Sequence, residues 1–258
     1  MKETVVIKCG GSTMAELSDS FFQSIAELKA SGKQVVIVHG GGPEIKKALD
    51  QLQVESTFVN GYRKTTADVL DAVIMVLGGK VNKQLVSNLQ NAGLEGFGCC
   101  GVDGSLLQVK PKDVEALGFV GEIVNVNTEL LDKMVGMDII PVIAPLGIDE
   151  NGQIYNINAD SAAGAVAKAL NAKQLLFVTD VDGILKDEQL LESLTAKQVQ
   201  DLIEEGTIYG GMIPKVEAAI HSLTGTLEEV MIINGKGANV VQNGKIIGTK
   251  ITRAVEVV

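Results

Sequence analysis

An α/β fold is predicted by two features of the sequence. Short β-branched runs such as Val5-Val6-Ile7 and Val35-Val36-Ile37-Val38 alternate with longer stretches of helical period, the pattern of strands buried on both faces by helices. Each of these runs also leads into a glycine loop, Gly10-Gly11 and Gly40-Gly41-Gly42. With 258 residues, 46% of them hydrophobic and 21% charged, the chain can build a substantial core, as one large domain or two joined lobes. Disorder and collagen-like repeats are excluded by that composition.

The first unit is Val5-Val6-Ile7, the loop Lys8-Cys9-Gly10-Gly11, and a helix with Phe21, Phe22, Ile25 and Leu28 on one face, stopped at Gly32. The second repeats the plan: Val35 to Val38, the loop His39-Gly40-Gly41-Gly42, and a helix opened by Pro43 with Ile45, Ala48, Leu49 and Leu52 as its apolar stripe. From Thr65 to about Asn91 runs a longer helix, begun by a Thr65-x-x-Asp68 capping signal and ended at Gly93. Gly78-Gly79 interrupts it, inviting a kink or a close helix contact. Residues 97–125 read as short strands in hairpins, and Asn127-Thr128 cap a helix through Met134. Ile139 to Ile148 reads as one buried strand, and Asn156-Ile157-Asn158-Ala159-Asp160 leads into an alanine-rich helix ending at Leu170. Leu175 to Val178 and Val230 to Ile233 are further buried strands, ending in Thr179-Asp180-Val181-Asp182-Gly183 and Asn234-Gly235-Lys236-Gly237. A soft boundary near Asn171-Ala172-Lys173 gives lobes 1–172 and 173–258, with one continuous sheet as the alternative.

Lys and Arg number 22 against 32 Asp and Glu, a net charge of −10. The average surface therefore repels phosphodiester backbones and anionic lipid, and any phosphate site must be a local basic pocket. Nucleic acid is not expected as a partner. No apolar run reaches the ~18 residues that span a bilayer, and Met1-Lys2-Glu3-Thr4 leads into a strand rather than a signal-peptide core. The chain reads as soluble and cytoplasmic, with no membrane partner. Cys9, Cys99 and Cys100 lack CxxC spacing, which fits a reducing compartment and small buried side chains rather than a disulfide framework or zinc cluster.

Backbone N–H groups in glycine loops at strand ends, followed by helix N-termini, form anion sites. Lys8 precedes Gly10-Gly11, and Gly40 to Gly42 permits close backbone approach. Either loop alone can be structural; together they lie beyond the carboxyl ends of strands, where open α/β sheets bind ligands. GxxxxGK[ST], a GxGxxG after a strand, HExxH and Gly-x-Ser-x-Gly are all missing. His39 could contact ligand or be a hydrogen-bonded structural residue, and His221 reads as structural. In Gly210-Gly211-Met212-Ile213-Pro214-Lys215 a lysine falls in the first turn of a helix. A cation there costs ~0.3–1 kcal/mol unless an anion or carboxylate sits against it, so an anionic ligand at Lys215 is expected. Asp160, in a helical first turn, is stabilising by itself.

Taken in order, Lys8-Cys9-Gly10-Gly11, His39-Gly40-Gly41-Gly42, Asn60-Gly61-Tyr62-Arg63, Asn156-Ile157-Asn158-Ala159-Asp160 and Gly210-Gly211-Met212-Ile213-Pro214-Lys215 resemble the amino-acid kinase family, and within it the members that phosphorylate N-acetyl-L-glutamate. The resemblance extends from residue 5 to Gly248-Thr249-Lys250-Ile251. It implies a three-layer αβα sandwich around a mainly parallel sheet with β-hairpin additions. Residues 1–172 would bind the acyl acceptor and residues 173–258 ATP. The implied reaction moves a phosphoryl group from ATP, with Mg²⁺ carried by the nucleotide, to the side-chain carboxylate of N-acetyl-L-glutamate. The product is N-acetyl-L-glutamyl 5-phosphate, in arginine biosynthesis.

Carried over by motif, Lys8 and Lys215 would contact the transferring phosphoryl group, with Gly11, Gly41 and Gly42 donating backbone hydrogen bonds to it and to the attacking carboxylate. Arg63 would clamp the substrate α-carboxylate, Asn156 and Asn158 would lie at the substrate, and Asp160 would position the two lysines. Gly10, Thr179, Asp180, Val181, Gly183, Gly210 and the Asn234 to Gly237 loop would hold nucleotide, with Met212 near the adenosine. The acceptor carboxylate is ionised near neutral pH, so no general base is needed. Two lysines, glycine N–H groups and Mg²⁺ suit a loose phosphoryl transition state, and the planar Arg63 fork suits a carboxylate. The resemblance also implies a homodimer, with the helix around residues 65–92 as the expected contact. Arginine-inhibited members carry an additional N-terminal helix, whereas here the first strand starts by about residue 4, so insensitivity to arginine is expected. A relative acting on another acyl group or on UMP, and a non-catalytic nucleotide-binding subunit of the same fold, are the alternatives.

Overall fold

The computed structural model describes residues 3–11, 13–223, 227–236, 240–242 and 245–253. Strand β1 (Thr4–Cys9) is followed by α1 (Asp19–Ala30), whose N-terminus is capped by the Ser18 hydroxyl and which buries Phe21, Phe22, Ile25 and Leu28. Strand β2 (Gln34–His39) leads into α2 (Gly42–Leu52), which has Pro43 in its first turn and buries Ile45 and Leu49; Leu52, its last residue, is exposed. A hairpin of β3 (Phe58–Val59) and β4 (Tyr62–Arg63) precedes α3 (Ala67–Ile74). Thr66 rather than Thr65 caps α3, accepting from Val69 N at 3.4 Å. Thr65 is instead buried and donates to Arg63 O. The long helix does not break at Gly78-Gly79: Met75–Val81 winds as a π-helix and α4 (Asn82–Asn91) continues it. Gly78 does make a close contact, but with a strand. A Cβ there would stand 3.0 Å from Cys100 Sγ.

Next come β5 (Gly96–Cys100), β6 (Leu107–Pro111), α5 (Val114–Leu117), β7 (Gly121–Val126) and α6 (Thr128–Gly136), the last capped by Asn127. Strands β8 (Ile140–Ala144), β9 (Leu146–Ile148) and β10 (Ile154–Asn156) precede α7 (Ala159–Ala169) and β11 (Gln174–Thr179). A hairpin of β12 (Leu185–Lys186) and β13 (Gln189–Leu190) leads to β14 (Ser193–Thr195), α8 (Ala196–Glu204) and α9 (Met212–Ser222). Then follow β15 (Glu229–Asn234), the hairpin β16 (Val241–Gln242) with β17 (Lys245–Ile246), and β18 (Thr249–Thr252).

Eight strands form the central sheet in the order β14-β18-β15-β11-β1-β2-β8-β5, parallel from β15 to β5, with β18 antiparallel to β15. Pairing of Lys8 with Phe177 and Cys9 with Val178 carries the sheet without a break across residue 172. Alternation along β1 sends Val5, Ile7 and Cys9 into a core shared with α1 and α4, and Val6 into a core shared with α6, α7, α8 and α9. Helices therefore cover both faces. Each fully buried Leu or Ile in these layers contributes ~1.5–3 kcal/mol.

The strands differ from expectation in two places. Residues 97–125 are not all hairpin: β5 joins the central sheet parallel to β8, and only β6 and β7 pair antiparallel, in a second sheet ordered β10-β9-β6-β7. The glycines of β5 are spacing residues rather than turn signals. A Cβ at Gly96 would reach Leu89 at 2.8 Å, and one at Gly98 would reach Asn82 Oδ1 at 2.0 Å. The run Ile139 to Ile148 is likewise two strands, since the chain leaves the central sheet at Pro145 and enters the smaller one as β9.

Candidate active site

Register fixes the site before any side chain does. Cys9 pairs with His39 and with Val178, and Thr179 pairs with Asn234, so the loops after β2, β1, β11 and β15 emerge together at the carboxyl ends of the parallel strands. Gly11 and the Gly40 to Gly42 loop lie in backbone contact: a Cβ on Gly11 would stand 2.6 Å from Gly42 N and 2.8 Å from Gly41 N. Leu77, from the π-helical turn, packs on Gly41, its Cδ2 2.6 Å from where a Gly41 Cβ would be, and lines the same cavity. Helix α2 starts at Gly42, and the first N–H groups of a helix have no intrahelical partner. Two glycine loops and a helix N-terminus thus present backbone donors where an anion would sit.

Lys8 leaves β1 toward α7 and places Nζ 2.7 Å from Asp160 Oδ1 and 5.8 Å from the Phe177 ring centroid. The lysine side chain is 15% exposed and the aspartate 34%. The approach is a charge contact rather than an aligned hydrogen bond, and Oδ1, shielded from solvent, accepts none. Asp160 is set in place by Asn158, whose Oδ1 caps α7 by accepting from Asp160 N at 2.9 Å and Ser161 N at 3.0 Å. Arg63 ends the β3–β4 hairpin with its guanidinium 4.7 Å from the Phe58 ring centroid, donating to Ser56 Oγ and, at 3.3 Å, to Gly42 O. Partial burial pulls its pKa below the ordinary arginine value, and the group remains charged near neutrality. Asn156 is tethered by donating to Thr65 Oγ1 at 3.1 Å.

Lys8, Gly11, Gly41, Arg63, Asn156 and Asp160 all line one cavity of about 270 Å³. That is below the ~300–1,000 Å³ usual for drug-sized ligands and suits a small acid. It adjoins a wider cleft of about 720 Å³ between the β3–β4 hairpin, α7 and α9, and Gly61, Tyr62, Asn158 and Asp160 border both.

Lys215 lies elsewhere. From the first turn of α9 its Nζ meets Asp180 Oδ1 at 2.6 Å, holding the Asp180 carboxyl below its ordinary pKa. The anion set against this lysine is the chain's own Asp180 carboxylate, where a ligand was expected, and Asp160, expected to position both lysines, contacts Lys8 alone of the two. The nucleotide-side residues split in the same way. Thr179 is buried and its hydroxyl is engaged with Val181 N and the carbonyls of Val181 and Ile233. Gly183, at φ +146, is pressed against Thr249, where a Cβ would stand 2.5 Å from Oγ1. Asp182 accepts from Asn234 Nδ2 at 2.7 Å, joining the ends of β11 and β15. Gly10 packs on Val178 O, Gly210 turns at φ +57, and Met212 rests partly buried on the core of α7 to α9. Gly237 falls outside the described residues.

His39 does not reach the cavity. It is fully buried, and burial pushes its pKa down to about 4. His221 bonds through Nδ1 to Glu217 O within α9. Burial raises the thiols of Cys9 and Cys99 to about 12, leaving both protonated. Sequence reasoning passed over Asn82, fully buried behind the second glycine loop, and Leu77; a polar residue and a leucine in a long amphipathic helix carry no signal of such a place. Among the described residues no helix is long and apolar enough to cross a membrane.

The sequence profile of the amino acid kinase family matches residues 3–234. The acetylglutamate kinase of Halalkalibacterium halodurans is 56% identical over 255 residues, covering 99% of this chain and 98% of the relative. That of Geobacillus stearothermophilus is 56% identical over 257 residues, covering 100% and 99%. A crystal structure of smu.665 from Streptococcus mutans UA159 superposes with a TM-score of 0.84 at 35% identity, covering 98% of this chain and 99% of that one. The chain belongs to the amino acid kinase family.

Proposed function

We propose that this chain is an acetylglutamate kinase, transferring the γ-phosphoryl group of ATP to the side-chain carboxylate of N-acetyl-L-glutamate. The observation that carries the assignment is a single cavity lined by Lys8, two abutting glycine loops and the Arg63 guanidinium, in a chain whose acetylglutamate kinase relatives match it end to end. Arg63 clamps the α-carboxylate, with Asn156 and Asn158 beside the acetamido group. The γ-carboxylate then faces the glycine loops as an ionised nucleophile and needs no base. Lys8, steadied by Asp160, and the N–H groups of Gly11, Gly41 and Gly42 take up the charge that spreads over the phosphoryl oxygens.

ATP enters from the side of β11 and α9, where Asp180, Val181, Gly183, Gly210 and Met212 lie. In this proposal Lys215 turns from Asp180 to the transferring group once nucleotide arrives. Asp160 and Asp180 are each already matched by a lysine, which fits Mg²⁺ held by the nucleotide phosphates, where it neutralises their charge. Residues 1–172 thus serve the acceptor and residues 173–258 the nucleotide. We further propose a cytoplasmic homodimer that meets along the helical stretch 65–92, where Met75 is 58% exposed.

The assignment is tested by supplying the purified chain with ATP, Mg²⁺ and one acceptor at a time. ADP release should require N-acetyl-L-glutamate. Release only with aspartate, glutamate, carbamate or UMP would move the chain to another branch of the family, and ligand-shifted melting without turnover would mark a binding subunit.

A further inference from the structure

Gly41 can donate to a phosphoryl group only if its N–H faces the cavity, and the structure sets that direction from behind the loop. His39, at the end of β2, has Nδ1 2.9 Å from Gly40 O and Nε2 3.1 Å from Asn82 Nδ2. Asn82 opens α4, and its Nδ2 also lies 2.9 Å from Val142 O and 3.4 Å from Cys99 O, while its Oδ1 lies 3.0 Å from Lys83 Nζ. Two carbonyls on one side and an ammonium on the other permit only one orientation of this amide: the NH₂ faces the carbonyls and the oxygen faces Lys83. The NH₂ therefore also faces the imidazole, so Nε2 must be the acceptor nitrogen. A neutral ring, as burial dictates, then carries its hydrogen on Nδ1 and donates it to Gly40 O.

The Gly40–Gly41 peptide is trans, so its C=O and N–H point to opposite sides of one plane. Holding the Gly40 carbonyl toward the buried ring turns the Gly41 N–H away from it, and Gly41 lines the cavity. We propose that His39 and Asn82 are positioning residues for the reaction: the chain Val142 O, Asn82, His39, Gly40 O locks the peptide whose N–H donates a hydrogen bond to the transferring phosphoryl group. Neither side chain touches substrate. This inference rests on the phosphotransferase reading above.

Three variants separate positioning from packing. His39→Asn can place an amide donor near the Nδ1 position, His39→Gln extends past it toward Asn82, and His39→Leu removes both bonds. All three should melt earlier than the parent. Only His39→Gln and His39→Leu should lose kcat heavily, by about 10- to 100-fold, the scale of one misdirected donor, with KM for both substrates within about threefold. His39→Asn should recover most of that kcat. A kcat that follows the melting temperature through the series, or an unchanged kcat in His39→Leu, would overturn the proposal. ¹⁵N spectra of the unmodified protein test the geometry independently of activity and of variant folding: Nδ1 should be protonated and Nε2 bare, and the reverse tautomer would overturn the lock. If the parent phosphorylates none of the acceptors, the functional reading fails on that result, while the ring nitrogens still decide the tautomer.

Discussion

The charge contacts of the site make separate demands on single residues. Lys8→Ala or Lys215→Ala should lower kcat by about 100-fold or more, the scale of one lost charge-stabilising donor, whereas Arg63→Ala should chiefly raise KM for the acceptor. Steady-state kinetics with each substrate varied in turn check all three, and unchanged constants would remove the corresponding role. His39 makes a prediction about stability. Its pKa of about 4 in the fold, against 6.5 unfolded, means that the unfolded chain binds the extra proton first. Stability should therefore fall as pH drops from about 6.5 toward 4, by up to about 3 kcal/mol from this residue. Urea melts across that range should show a weaker fall for His39→Asn than for the parent, and parallel curves would contradict the assignment. Lys8, Arg63 and Asp160 were legible in the sequence because their motifs are short and ordered. The partner of Lys215 and the burial of Asn82 were not, since each depends on residues distant in sequence, Asp180 and the trio His39, Cys99 and Val142.

The same site makes different demands on its elements. Asn158 is both the cap of α7 and the support of Asp160, so Asn158→Ala should cost about 1 kcal/mol of stability and slow turnover as well, readable by melting and kinetics on one sample. The glycine loops differ in what blocks a side chain. Gly11→Ala meets backbone nitrogens, while Gly41→Ala meets the tip of Leu77. Leu77→Ala empties part of the core by itself, so in double-mutant cycles its cost should be smaller in the Gly41→Ala background than in the parent and unchanged in the Gly11→Ala background; equal coupling to both would show that the loops are not packed as described. At this scale periodicity located α1, α2, α6 and α7 well, because a buried face repeats every three or four residues. It misread β5, whose glycines make room for Leu89 and Asn82, since glycine looks the same whether it permits a turn or a close approach.

Across the whole molecule, the alternation of strands and helices was enough to give an α/β chain with helices on both faces. Strand order was not legible: a buried run shows that it is covered, not which strand lies beside it. Residues 139–148 illustrate this, one apolar stretch divided between two sheets at Pro145. The continuous sheet brings residues from both sides of position 172 together at the carboxyl ends of its parallel strands, the proposed place of phosphoryl transfer. Trapping the product with hydroxylamine tests this most directly. With ATP, Mg²⁺ and N-acetyl-L-glutamate, the chain should yield hydroxamate in step with ADP, and Lys8→Ala should yield it at least about 100-fold more slowly. ADP release without hydroxamate, or hydroxamate formed at an equal rate without the Lys8 ammonium, would contradict it.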